Sequence, residues 1–207
     1  MVHMKIDTKE MLEQALFHLS RIEYMKSEDV PDIDLYMDQV TTFMDEQLSS
    51  NKRHEEDKIL TKTMINNYTK NNLLPPPSSK KYSKEHMILL TFIYYFKNIL
   101  SLKDIETLLS PVSKKLFGKK KEVSIASLYD EVRKLEQSKI NTFEKNILAS
   151  FEESSALFSD ASLEYREYLR LFSLICSLSF DIYAKKLLVE KLIDQLPSPE
   201  KEKKKKR

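Results

Sequence analysis

The residues whose types and spacing have the most directed chemistry lie between Lys62 and Lys70, in the stretch KTMINNYTK. Placed at 100° per residue, Met64, Ile65 and Tyr68 share one side of a helix. Lys62, Thr63, Asn66, Asn67 and Lys70 fall nearly opposite. A carboxamide can pair bidentately with N6 and N7 of adenine, and Lys and Thr can meet phosphates or base edges. A polar row anchored by an apolar one is what a helix needs to enter the major groove of a duplex. The other use of such a row is to solubilise an exposed helix. A second basic set, Ser79, Lys80 and Lys81, follows the run Leu73-Leu74-Pro75-Pro76-Pro77. Three prolines end any helix and force an extended segment. These lysines are expected to hold neighbouring phosphates, with Lys84 and Lys97 adding further contacts.

Other chemistries find little support. The four histidines, His3, His18, His54 and His86, stand far apart, so no metal site is expected. Cys176 is the single cysteine and sits in the most apolar stretch, where packing is expected rather than reaction. Gly118 is the single glycine, which excludes phosphate-cradling and dinucleotide-binding loops. Ser83 and Glu85 suit a helix start, not a nucleophile with its base. No enzyme and no cofactor are therefore expected.

These side chains belong to a chain of 207 residues with a net charge of +2. That charge is segregated. Residues 61–121 hold twelve lysines against three acids, whereas residues 1–60 hold seven basic groups against fourteen acids. A basic block in an acidic chain makes a polyanion surface. So few glycines leave little room for tight β turns, and the Leu-, Lys- and Glu-rich composition favours helices. One cysteine allows no intramolecular disulfide. The N-terminal stretch lacks an apolar signal core, and the longest charge-free run near the C-terminus, Leu171 to Phe180, is too short to span a bilayer. The expected location is the cytoplasm, without a membrane partner.

Helical periodicity and caps then place the elements. Asp7 caps a first helix carrying Met11, Leu12, Ala15, Leu16, Leu19 and Ile22. A second is expected from about Asp32 to Leu48, followed by a polar loop from Ser49 to Lys58. Thr61 caps the helix of the polar row. Ser83 caps a very apolar helix to about Leu100, and Ser101 with Asp104 caps a short one, Leu102 to Leu109. Pro111 and residues 115–122 read as a linker. One long helix is expected from about Ser124 to Phe158 and a second from about Ala161 to Leu196. Tyr94, Tyr95, Tyr165, Tyr168 and Tyr183 suit core packing; the alternative is a groove for an apolar effector. The resulting division is 1–30, an N-terminal helix; 31–112, the domain of the polar row; 123–196, a helical oligomerisation or effector region; and 197–207, a disordered basic tail.

Residues 60–109 resemble the DNA-binding domain of MerR-type regulators. Thr61 matches its cap, and Tyr68 the last aromatic of its recognition helix. Leu73-Leu74-Pro75-Pro76 opens a wing and Tyr82-Ser83-Lys84-Glu85 closes it. Leu89, Phe92 and Ile93 match the packing helix, and Ser101-Leu102-Lys103-Asp104-Ile105 the last one. The wording DQV…ILTKTMINNYTK…KYSKEH is also similar to the domain-of-unknown-function family numbered 1836. The MerR resemblance implies an all-α fold with a winged helix-turn-helix core, N-terminal helices and a C-terminal pair of long helices. It implies a sequence-specific transcriptional regulator that meets double-stranded DNA through Lys62, Thr63, Asn66, Asn67, Lys70, Ser79, Lys80 and Lys81. It further implies a homodimer, formed here by the helix Ile125–Phe151. The chain departs from the pattern in carrying amides at Asn66 and Asn67 where Arg and Tyr are usual, and a shorter wing without glycine. Those departures favour the alternative, a protein-interaction module on the same fold that no longer binds DNA.

Overall fold

The apolar segment that follows Ser83 sets the architecture. In the computed structural model, which describes residues 7–20, 25–119 and 122–197, it forms a helix enclosed on almost every side. The described chain runs α1 (Thr8–Ser20), β1 (Leu35–Tyr36), α2 (Met37–Leu48), α3 (Lys62–Lys70), β2 (Lys81–Tyr82), α4 (Lys84–Phe96), α5 (Leu102–Leu116), α6 (Ile125–Gln137), α7 (Ile140–Ser155) and α8 (Leu163–Asp194). It is mostly helical, with one two-stranded antiparallel sheet in which Leu35 faces Tyr82 and Tyr36 faces Lys81. The basic tail beyond residue 197, His3 and Ile22 lie outside the described residues. Among the described residues no helix is long and apolar enough to cross a membrane.

The described residues form two compact units, those within 23–134 and 188–207, and those within 1–22 and 135–187. In the first, Met87, Ile88, Leu89, Leu90 and Ile93 of α4 are fully buried. Val40, Met44 and Leu48 of α2, Ile65 of α3, and Ile105 and Leu109 of α5 join the same core, as do Ile125 of α6 and Ile193 of α8. Each such side chain withdrawn from water contributes about 1.5–3 kcal/mol, so the core holds the polar row's helix in place. Tyr129 donates its hydroxyl hydrogen to the Met25 carbonyl (2.6 Å), and Ser27 hydrogen-bonds Asp130, tying α6 to the segment before β1. The second unit has a thin core, with Leu12, Ile147 and Leu174 as its buried apolar side chains among the described residues. Within it, Thr8 Oγ1 donates to the Glu167 carbonyl (3.2 Å).

Several expected elements take a different form. The second helix starts at Met37, because Leu35 and Tyr36 pair with β2 and the Gln39 side chain accepts the Tyr36 N–H at 2.9 Å. Pro111 does not end α5, which runs on to Leu116. Leu108, Val112 and Leu116 continue the buried stripe begun by Ile105, and that burial outweighs the lost hydrogen bond to Thr107. The single helix expected from Ser124 to Phe158 is two, α6 and α7, with a turn at Ser138 and Lys139. Leu135 and Ile140 are both exposed there, and their five-residue spacing leaves no continuous apolar face to carry the helix through.

Since α5 is otherwise regular through Pro111, Pro111→Ala restores an N–H for the Thr107 carbonyl. It is expected to raise stability by about 1–3 kcal/mol, read as an increased urea midpoint at unchanged slope.

Candidate nucleic-acid interface

α3 is short, and its position comes from both ends. At its start the Thr61 hydroxyl accepts the Met64 N–H (3.2 Å). At its finish the Tyr68 carbonyl accepts N–H groups from Leu73 (2.9 Å) and Leu74 (3.3 Å). Asn72 makes that reversal at φ 58°, a left-handed conformation that asparagine tolerates better than most residues. The reversal drives Leu73 and Leu74 into the core, each 1% exposed. Ile65 and Tyr68 are buried on the inner face, while Lys62, Thr63, Asn66, Asn67 and Lys70 are all exposed.

After Pro75–Pro77 the chain folds into a two-residue hairpin tip. Ser78 and Lys81 exchange backbone hydrogen bonds (2.8 and 3.1 Å) around Ser79 and Lys80. Both central residues have positive φ, 49° and 62°, as in a type I′ turn. Ser79 and Lys80 are exposed; Lys81 is half-buried, with Nζ 5.1 Å from the centre of the Tyr36 ring. The tip leads through buried Tyr82 into α4. There Ser83 donates its N–H to His86 Nδ1 (3.0 Å), so His86 closes the helix start where an acidic or amide side chain commonly does. The sequence reading identified Ser83 as a cap and missed this partner, although the Ser-x-x-His spacing carries the signal. His86 is buried between the edges of Tyr82 and Phe117, and its Nε2 makes no hydrogen bond. Burial lowers its pKa below the ordinary value, against smaller opposing effects of the Pro76 and Pro75 carbonyls and Asp34.

The lysines are not equally available. Lys62 pairs with Asp38 in the first turn of α2, and Lys84 with Asp32 (2.8 Å). Lys97 is engaged within the chain. It donates to the Ile59 carbonyl (2.8 Å), lies over the Tyr94 ring, and has a pKa lowered by burial. Between α2 and α3 an open cleft is lined by Asp45, Glu46, Glu55, Glu56 and Asp57, with Lys52 and Lys58, and reaches Thr61. The basic row therefore begins beside an acidic surface. The acids nearest it, Asp32 and Asp38, gave no sequence signal, because only the fold brings them to Lys84 and Lys62.

Two other expectations are corrected. Cys176 is exposed rather than packed, because it lies on the outward side of α8. The five tyrosines are not all packed in a core. Tyr94 and Tyr95 belong to the first unit, one buried and one half-buried, while Tyr165, Tyr168 and Tyr183 are exposed on α8 in the second. Among the described residues no three His, Cys, Asp or Glu side chains converge as a metal site.

Residues 25–132 match the family model described as domain of unknown function (DUF1836). That segment begins before the β1 strand and ends within α6, so it contains α3, the hairpin tip and α4. No curated protein and no solved structure matches the chain.

Two measurements test this geometry. His86 takes up its proton less readily folded than unfolded, so at acid pH the unfolded chain binds more protons and stability falls. The melting temperature is expected to be flat above the ordinary histidine pKa of about 6.5 and to drop as pH falls below it, with His86→Gln reducing the slope. At the tip, Lys80→Gly removes a side chain from a left-handed position. It is expected to stabilise the protein by about 1 kcal/mol, seen in chemical denaturation.

Proposed function

The chain belongs to the DUF1836 family, a membership that carries no activity with it, and from its side-chain geometry we propose that it is a cytoplasmic, sequence-specific DNA-binding regulator of transcription acting as a dimer. In this reading β1 to α5 is a MerR-like winged helix-turn-helix and the protein is not an enzyme. One observation carries it. A helix fixed by buried Ile65 and Tyr68 presents Lys62, Thr63, Asn66, Asn67 and Lys70 together, and an exposed Ser79-Lys80 tip follows in the chain. α3 is the recognition helix, with Asn66 and Asn67 reading adenine edges and Thr63 and Lys70 meeting base or phosphate. The hairpin tip is the wing, and Lys80 and Lys81 neutralise phosphates beside it. Lys62 exchanges Asp38 for a phosphate on binding.

A second reading has its own support. Lys62 and Lys84 already have acidic partners, and the cleft at the start of α3 is lined mainly by carboxylates. Carboxylates repel DNA, so α3 and that cleft together suit a mixed-charge protein partner.

Selection of bound duplexes from a random pool at two salt concentrations separates the two. A regulator enriches a two-part motif, with half-sites about one helical turn apart or a multiple of it. Asn66→Ala relaxes one position of that motif. Lys70→Ala with Lys80→Ala and Lys81→Ala weakens binding to all sequences and lowers the salt slope by about 1 per contact removed. Retention without a motif, indifferent to these lysines, would leave the interaction module as the better reading.

A further inference from the structure

α8 is amphipathic in the wrong sense for a helix that ends in water. Between Tyr165 and Tyr183 its charged residues are Arg166, Glu167, Arg170 and Asp181. On a 100° wheel these four fall on the side of Leu174, which is 3% exposed. Arg166 donates to the Ala161 carbonyl (2.7 Å), and Arg170 donates to the Leu157 carbonyl and to Glu167 (both 3.2 Å). Arg166, Glu167 and Arg170 are thus engaged within their own unit, while Asp181 stays exposed and pairs with Lys185 one turn on. The opposite side carries Tyr165, Tyr168, Phe172, Phe180 and Tyr183, each more than half exposed, with Ile175 also outward. No charged residue interrupts that face over the nineteen residues from Tyr165 to Tyr183, about 27 Å of helix.

The exposed parts of the five rings amount to about three whole aromatic side chains, roughly 450–750 Å² at 150–250 Å² each. Adding the outward aliphatics brings the face close to the ~800 Å² per partner of a stable protein interface. The order of side chains along it is near-palindromic. Small Cys176 is central. Phe172 and Phe180 flank it at four residues on either side, Tyr168 and Tyr183 lie at eight and seven, and Tyr165 and Leu187 at eleven. A face that reads alike in both directions complements itself in an isologous two-fold pair, where residue i meets j and j meets i.

We propose that the outward face of α8 is the self-association surface of this protein, occupied by α8 of a second copy running antiparallel about a two-fold axis near Cys176. In that pair Phe172 packs on the partner copy's ring at position 180, and the two cysteines approach each other at the axis. The inference deepens the dimer part of the preceding reading and places it on α8 rather than on Ile125–Phe151, where a turn interrupts the helix. It does not depend on DNA contact by α3.

The test uses the full chain without DNA. Sedimentation at micromolar concentration is expected to give twice the 24.4 kDa chain mass. Phe172→Glu with Phe180→Glu is expected to weaken self-association at least tenfold with an unchanged far-ultraviolet circular dichroism spectrum. A short bismaleimide is expected to yield a covalent dimer that Cys176→Ser abolishes. In a Cys176→Ser background, single-cysteine proteins Tyr168→Cys and Tyr183→Cys are expected to cross-link to each other when mixed and not to themselves. Cross-linking of each only to itself would overturn the antiparallel pairing. A monomeric wild-type chain, including one that instead binds lipid vesicles, would overturn the proposal. So would a dimer indifferent to both glutamates. Assembly is read apart from DNA binding, so failure of one leaves the other measured.

Discussion

The first unit depends on the burial of α4. With Met87 through Leu90, Ile93 and Tyr94 all withdrawn from water, this helix has no free face, and each neighbour is held in place by covering part of it. α2, α3 and β2 cover it together with α5, and Ile125 and Tyr129 bring α6 to the same core. A nine-residue helix such as α3 is marginal in isolation, so its outward row exists as a defined array only because Ile65 and Tyr68 are locked into this core.

A second constraint is the chain reversal after α3. The Tyr68 carbonyl, the left-handed Asn72 and the buried Leu73–Leu74 pair end the helix abruptly. The prolines then keep the chain extended until Ser79 and Lys80 turn it back. A left-handed serine and lysine in succession are held by the backbone hydrogen bonds on either side, since neither residue favours that conformation. The row and the tip thus flank one short connection, which is why a function that uses both is the natural reading.

Charge and apolarity are distributed differently in the two units. In the first, Lys62 and Lys84 stand close to Asp38 and Asp32, acids far off in sequence, so the surface there is less basic than the lysine count of the segment suggests. In the second, Arg166, Glu167 and Arg170 of α8 are engaged with near neighbours and the aromatics are left outward. A small core of Leu12, Ile147 and Leu174 with a large outer apolar face is the pattern expected of a surface that buries itself in an assembly.

Much of this was determined by sequence alone. Helix periodicity placed the α3 stripe, and the caps at Thr61 and Ser101 formed as their side-chain chemistry requires, whereas at Ser83 it is the His86 ring that closes the helix start. The prolines at 75–77 keep the chain extended as their chemistry requires, although α3 has already ended at Lys70 through the reversal at Asn72. Family membership was also legible, because it rests on residue order. What only the tertiary structure decided concerns balances between distant groups. Pro111 stays helical because Leu108, Val112 and Leu116 gain more by burial than one hydrogen bond loses. Lys97 is engaged because the fold brings the Ile59 carbonyl to it, and Lys62 and Lys84 are paired because it brings Asp38 and Asp32. The aromatic face of α8 looked like core in the sequence, since local spacing shows that a helix has an apolar side. Whether that side turns inward depends on which other chain segments reach it, and that is a property of the whole fold.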